Sequence, residues 1–201
     1  MKKAALILAF TLTSAFAKDD IAKANYKSEW SKPKTTKEKL NDMVLRAAKS
    51  DNKALIDEYI KLGGDLNIHD EKGYTPLIFA AYYGHASMVE TLLDAGANPC
   101  LEDKRGNTAL MGAVFKGNFR IAYRLIKSDC DVDQRNNSNQ TALMYASLFD
   151  RERLVEKLVE EGAKIEASDN QGNTAIELAK KQGNFKMATL LKNKKKAAID
   201  K

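Results

Sequence analysis

Apolar residues return along this chain in constant phase. Leu92, Leu125, Leu158 and Leu191, each with an apolar neighbour, follow the small residues Ala80, Ala113, Ala146 and Ala179 at a fixed offset, and the neighbours are Leu93, Ile126, Val159 and Leu190. Polar positions keep the same register. Thr75-Pro76-Leu77, Thr108-Ala109-Leu110, Thr141-Ala142-Leu143 and Thr174-Ala175-Ile176 each begin 33 residues after the one before. Ahead of them stand Asp70, Asp103 and Asp169, then Gly73, Gly106 and Gly172, with Asn136 and Asn139 in the corresponding places of the fourth unit. A gap-free period of this length marks a repeat architecture.

The residue types predict the elements of one unit. Each Thr is placed to accept a backbone N–H at a helix start, and Pro76 follows where a missing donor costs nothing. Mid-helix alanines permit close approach of neighbouring helices, and Gly84, Gly117 and Gly183 supply the left-handed residue that ends the helix. A second helix carries apolar residues at helical spacing, such as Met88, Leu92 and Leu93 or Leu154, Leu158 and Val159. It is closed by Gly63, Gly96 and Gly162. The stretch before each Thr is rich in Asn, Asp and Gly, which predicts a hairpin-like finger.

The pattern D-x-x-G-x-T-P-L-x-x-A-A-x-x-G followed by V-x-x-L-L-x-x-G-A, matched most closely by residues 70–97, resembles the ankyrin repeat. The resemblance implies an all-α solenoid of about five helix-turn-helix units with hairpin-like fingers, its outer units serving as caps. A degenerate first unit is expected at 39–69, where Asp42-Met43-Val44 stands in place of Thr-Pro-Leu but Ala47-Ala48, Ile56, Ile60, Gly63 and Gly64 keep phase. Repeats are expected at 70–102, 103–135 and 136–168. A capping unit at 169–193 has Glu177, Lys180, Lys181 and Lys186 among its apolar residues, and a basic tail follows at 194–201. Asp51 and Asp150 replace the helix-ending Gly. The family's His after T-P-L is absent, with Ile78, Met111, Met144 and Glu177 in its place.

The N-terminus reads as an export signal. Met1-Lys2-Lys3 leads into the apolar residues 4–12, too few to span a bilayer as a helix, and Ala15-Phe16-Ala17 then forms an A-x-A site. Cleavage is expected after Ala17. No Cys follows at once to take a lipid anchor, and no later stretch is apolar enough for a transmembrane helix, so a soluble protein of the periplasm is expected, with full secretion the alternative. Residues 18–38 form a Lys-rich extension in which Tyr26 and Trp30 fall one helical turn apart. A solvated linker is the favoured reading over docking on the first repeat.

Charge narrows the partner. The chain of 201 residues has a formal net charge of +6. Residues 18–41 hold seven Lys against four acids and residues 192–201 five Lys against Asp200, so the basicity sits in the flanks and the repeats are mildly acidic. A nucleic-acid binder places its basic patch on the folded surface, so nucleic acid is not expected as a partner.

Candidate chemistry is sparse. There is no phosphate loop, zinc-protease motif or nucleophile elbow. His69 lies in a finger, and His85 follows Gly84 where ankyrin repeats commonly carry a Gly-His pair. Catalysis and metal binding are not expected. Cys100 and Cys130 form an even count in an oxidising compartment, which favours pairing. Stacked repeats, however, place equivalent positions roughly 8–10 Å apart, beyond the reach of about 7 Å for a disulfide, so pairing is the less favoured reading.

The resemblance also implies a binding face, since ankyrin partners meet the finger tips and the exposed side of the first helices. Carried onto this sequence, that face holds Phe79, Tyr82 and Tyr83, then Phe115 and Lys116, then Tyr145, Leu148 and Phe149. The finger tips add Glu71, Lys72 and Tyr74, then Lys104 and Arg105. Interfaces favour such aromatic and Arg side chains. A protein partner bound by a monomer without cofactor or membrane anchor is the expectation. Short exported bacterial ankyrin proteins also resemble companions of periplasmic catalases, so haem handling, with His69, His85 or a concave Tyr as ligand, is a second reading. A secreted effector acting on host proteins is a third.

Overall fold

The computed structural model describes residues 35–199. The expected signal peptide, its cleavage point and the Tyr26 and Trp30 pair lie outside the described residues. Within them the helices are α1 (Thr36–Lys49), α2 (Lys53–Lys61), α3 (Pro76–Tyr83), α4 (Ala86–Asp94), α5 (Ala109–Lys116), α6 (Phe119–Ile126), α7 (Ala142–Leu148), α8 (Glu152–Glu160), α9 (Ala175–Lys181) and α10 (Phe185–Ile199). Each odd helix packs on the even helix after it. The odd helices also form one row, α1 to α9, and α4, α6, α8 and α10 form a second. Contact along the odd row is closer than along the even row. The odd helices therefore occupy the inner, concave side of the stack.

Alanine explains that closeness. Ala47, Ala48, Ala80, Ala81, Ala113, Ala146 and Ala179 are all buried along the odd row, where a methyl group lets neighbouring helices approach. Larger side chains, among them Ile56, Leu92, Leu154, Leu158 and Leu191, fill the space between rows. At the place of the missing His, Ile78, Met111 and Met144 are buried, so apolar packing replaces the usual hydrogen bonds. Thr75, Thr108 and Thr141 accept N–H bonds from Ile78, Met111 and Met144 at 3.1, 3.3 and 3.4 Å. Thr174 and Glu177 form a reciprocal capping box. Asp51 and Asp150 take φ of 59° and 56° in place of the helix-ending Gly.

Both ends of the stack are more helical than the repeat pattern implies. Helix α1 starts at Thr36, ahead of Asp42, and takes in the last residues of the Lys-rich extension. Helix α10 runs to Ile199 and turns residues 194–199 of the expected tail into helix. Lys195 stands where earlier units carry the closing Gly, and the Lys and Ala residues around it are good helix formers. Its ammonium bonds Glu166 at 3.0 Å.

The fingers repeat one device. The Oδ1 atom of Asp70 accepts from the amides of Lys72 and Tyr74, and Asp103 accepts likewise from Arg105 and Asn107. Asn136 does the same for Ser138 and Gln140, and Asp169 for Gln171 and Asn173. Main-chain bonds then tie finger to finger: Lys104 N–H to Lys72 O at 2.8 Å, Asn137 N–H to Arg105 O at 2.9 Å, and Asn170 N–H to Ser138 O at 3.0 Å. Gly73 has φ of 82°, and a Cβ there would lie 2.8 Å from the amide nitrogen of Lys104. Glycine is thus required by the turn and by the next finger together.

One expectation is corrected. Cys100 and Cys130 are joined as a disulfide with Cα atoms 5.5 Å apart, inside the separation of roughly 8–10 Å expected between helices. The two residues sit in connecting segments, where helix radius does not set the spacing. Helices α4 and α8 leave through Gly96 and Gly162, both at φ of 91°, and the following Ala97 and Ala163 are buried. After α6 the corresponding residue is Asp129, which does not take a positive φ. The chain bends through 128–130 and leaves Cys130 half-buried, within reach of Cys100.

Candidate functional site

The concave side is built by register. At intervals of 33 residues the sequence places Phe79, Gly112 and Tyr145 side by side on α3, α5 and α7, and one turn later Tyr82, Phe115 and Leu148. The alanines between them are buried, Tyr82 and Phe115 are exposed, and Phe79, Tyr145 and Leu148 are half-buried against the core. The rings touch in an unbroken series. Tyr74 lies 5.3 Å from Phe79, Phe79 6.4 Å from Tyr83, and Tyr83 5.4 Å from Tyr82. Tyr82 stacks on Phe115 at 6.1 Å with planes 11° apart, and Phe115 meets Phe149 edge-on at 4.8 Å. Tyr145 closes the series 6.1 Å from Phe149.

Ring-on-ring packing does not bury this band. Tyr82, Tyr83 and Phe115 remain 37%, 46% and 37% exposed. A groove of about 350 Å³ opens between them, with Met111 and Gly112 along α5 and Tyr74, Phe79 and Tyr145 on its sides. Of the residues read from sequence, Phe79, Tyr82, Tyr83, Phe115, Tyr145, Tyr74 and Arg105 line it. Leu148 packs against the core, Phe149 supports Phe115 from behind, and Lys116, Lys72, Lys104 and Glu71 stand outside the lining as exposed residues.

Sequence reasoning passed over the polar end of the groove. Asp103 is buried and accepts from the backbone of Arg105 and Asn107 at 2.8 Å each and from the Asn107 side chain. Asn107 Oδ1 in turn accepts from Asn136 Nδ2 at 3.0 Å and from the Tyr145 hydroxyl at 3.2 Å. Burial pushes the Tyr145 phenol above its usual value, against the lowering effect of the hydrogen bond from Asn136. It therefore stays protonated and donating. Burial raises Tyr74 as well. Gly112 was also legible, as the one small residue between Phe79 and Tyr145 in register.

The charges around the groove are uncommitted. The Lys49 ammonium lies 5.5 Å over the Tyr83 ring and that of Lys116 5.1 Å over Tyr82, a favourable arrangement that leaves the charge open to anions. Among the described residues neither they nor Lys72, Lys104 and Arg105 form a salt bridge. The even helices differ. Arg124 bonds Glu90 at 2.7 Å, Lys157 bonds Glu161 at 2.7 Å, and Lys186 bonds Glu152 at 2.7 Å.

Residues 44–136 and 110–201 each match the family model described as ankyrin repeats in three copies. The chain is an ankyrin-repeat protein. Ankyrin repeats in general mediate protein–protein interaction, and the family is typically non-catalytic. No curated protein sequence matches the chain.

The ankyrin stack places neither histidine in the groove. The His85 ring bonds Lys49 O through Nε2 at 2.9 Å, stacks 6.3 Å from Tyr83 and has Nδ1 3.9 Å from Asp51, while His69 Nδ1 lies 3.0 Å from Asp70 O. Among the described residues no cluster of three His, Cys, Asp or Glu side chains is arranged to hold a metal ion, and no helix is long and apolar enough to cross a membrane.

Proposed function

We propose that this ankyrin-repeat protein is a non-catalytic interaction module, exported to the periplasm, that binds a protein partner through the concave groove and the neighbouring finger tips. The observation carrying this reading is the continuous band of partly exposed rings on the face where odd helices and fingers meet. A monomer has no folding reason to leave three large rings in water beside unpaired cations, and exposed apolar patches of this kind mark contact surfaces. The export signal at residues 1–17 and the even cysteine count support the compartment.

Site-specific photo-cross-linking tests the reading. A photoreactive residue in place of Tyr82 should give adducts of discrete mass in cells, and one in place of the exposed Arg120 on α6 should give none. Identical adducts from both positions, or none from Tyr82, would remove it. Release of the protein by osmotic shock tests the compartment, and retention with the cytoplasm would count against export.

A further inference from the structure

We infer that the groove over Gly112 is a socket for one aromatic side chain, presented by an acidic segment of the partner protein. The inference rests on the interaction reading above and names the partner's chemistry.

The socket exists because of one residue. Phe79 and Tyr145 occupy the same repeat position in the flanking units, and Gly112 between them contributes no side chain. Backbone geometry does not require glycine there. It is helical without a positive φ, and a Cβ built on it meets nothing closer than Tyr82 carbons at 3.8 Å. Glycine in a helix interior is unfavourable relative to alanine, so what it provides here is open space. The resulting volume of about 350 Å³ is at the lower end of the range of about 300–1,000 Å³ for ligand pockets, which suits a single ring better than an extended ligand. Walls of Phe79, Tyr82, Phe115 and Tyr145 offer both faces and edges for stacking.

Charge selects what flanks the ring. Arg105 lines the groove, Lys49 and Lys116 stand over its rings, and Lys72 and Lys104 are exposed on the adjoining fingers, all without salt bridges among the described residues and on a mildly acidic body. The acid in the lining, Asp103, is already committed to N–H donors of its own finger. Glu71 and Glu102 are exposed acids nearby in sequence, and Glu102 is engaged by the Gln134 side-chain amide at 2.6 Å. Carboxylates beside the inserted ring would meet Arg105 and its neighbours. A cationic partner would meet like charge.

Fluorescence anisotropy with labelled synthetic peptides tests this on the mature chain. The probe is a blocked peptide with one central Trp flanked by Asp and Glu. Binding should fall at least about tenfold when Trp becomes Ala, when the acids become Lys, and when the protein carries Arg105→Glu. Gly112→Phe, which restores a ring at this place, should abolish binding, whereas Gly112→Ala should retain most of it. Circular dichroism checks the fold of each variant, and the peptide changes remain informative if Gly112→Phe does not fold. Equal affinity for the Lys-flanked peptide, or no binding of the acidic one, would overturn the inference. So would self-association of the chain that Gly112→Phe removes, since the occupant would then be a second copy. If Tyr82 cross-linking yields the same adducts in wild type and Gly112→Phe, the interaction reading survives and the socket fails.

Discussion

The Tyr145 hydroxyl donates to Asn107 Oδ1 at 3.2 Å, joining a helix of one repeat to the finger of the repeat before it, 38 residues away in sequence. Through this bond a wall of the groove is fixed to the segment that carries Arg105. Tyr145→Phe keeps the ring and removes the donor. It should lower stability by about 0.5–1.5 kcal/mol, the usual net value of one hydrogen bond, measured by urea unfolding. In wild type the same phenol should ionise above the ordinary tyrosine value on spectrophotometric titration, because burial raises it. Ionisation of Tyr145 at or below that ordinary value would contradict the placement.

The Asp169 carboxylate ties stability to pH. Burial pushes it up, but hydrogen bonds from the Asn173 side chain and from the Asn173 and Gln171 amides, with Lys181 nearby, bring it below its ordinary value. A carboxylate depressed in the folded state stabilises fully above its unfolded value of about 3.9 and loses that contribution as pH falls through the folded value. Asn136 shows that an amide serves the same finger geometry. Asp169→Asn should therefore lose less of its urea midpoint than wild type between about pH 5 and about pH 3. Parallel losses would show that this group does not contribute.

The disulfide closes a loop with a sequence separation of 30. Purified protein should show no titratable thiol without reductant, and reduction should cost about 3.7 kcal/mol on the chain-entropy estimate. Two titratable thiols before reduction would refute the bond.

Gly73 and Gly172 separate two reasons for glycine. Both are left-handed, at φ of 82° and 76°, but a Cβ at Gly73 strikes the next finger whereas at Gly172 it meets open space. Gly172→Ala should cost about 1–2 kcal/mol, the backbone term alone. Gly73→Ala should cost more, and equal losses in thermal unfolding would show that the fingers are not held so close.

The fold was legible because its determinants are local and periodic. Thr75, Thr108, Thr141 and Thr174 each cap their own helix, and a Gly or Asp ends most odd helices at a position readable without neighbours. What depended on departures from the period was harder to read. Asp129 in place of a Gly moves Cys130 toward Cys100, and Lys195 in place of another prolongs α10. The rings that the repeat register brings to one side do touch one another, but the groove between them lies over Gly112 and not evenly across three repeats. An absent side chain has no hydrophobic signal, and it shows only when neighbouring units are laid over it. The Asp103, Asn107, Asn136 and Tyr145 network spans separate repeats, so no single unit displays it.

The amides of Lys104, Asn137 and Asn170 bond the carbonyls of Lys72, Arg105 and Ser138 from finger to finger, and the side chains of Asn137 and Asn170 add bonds to the carbonyls of Lys104 at 2.9 Å and Asn137 at 3.1 Å. Cohesion along this edge uses side chains at Asn137 and Asn170 but only main-chain atoms at Lys72, Lys104 and Arg105. Recognition and cohesion are written in different atoms of the same residues. Lys72, Lys104 and Arg105 can be rewritten by mutation to suit a new partner while the scaffold that presents them stays intact.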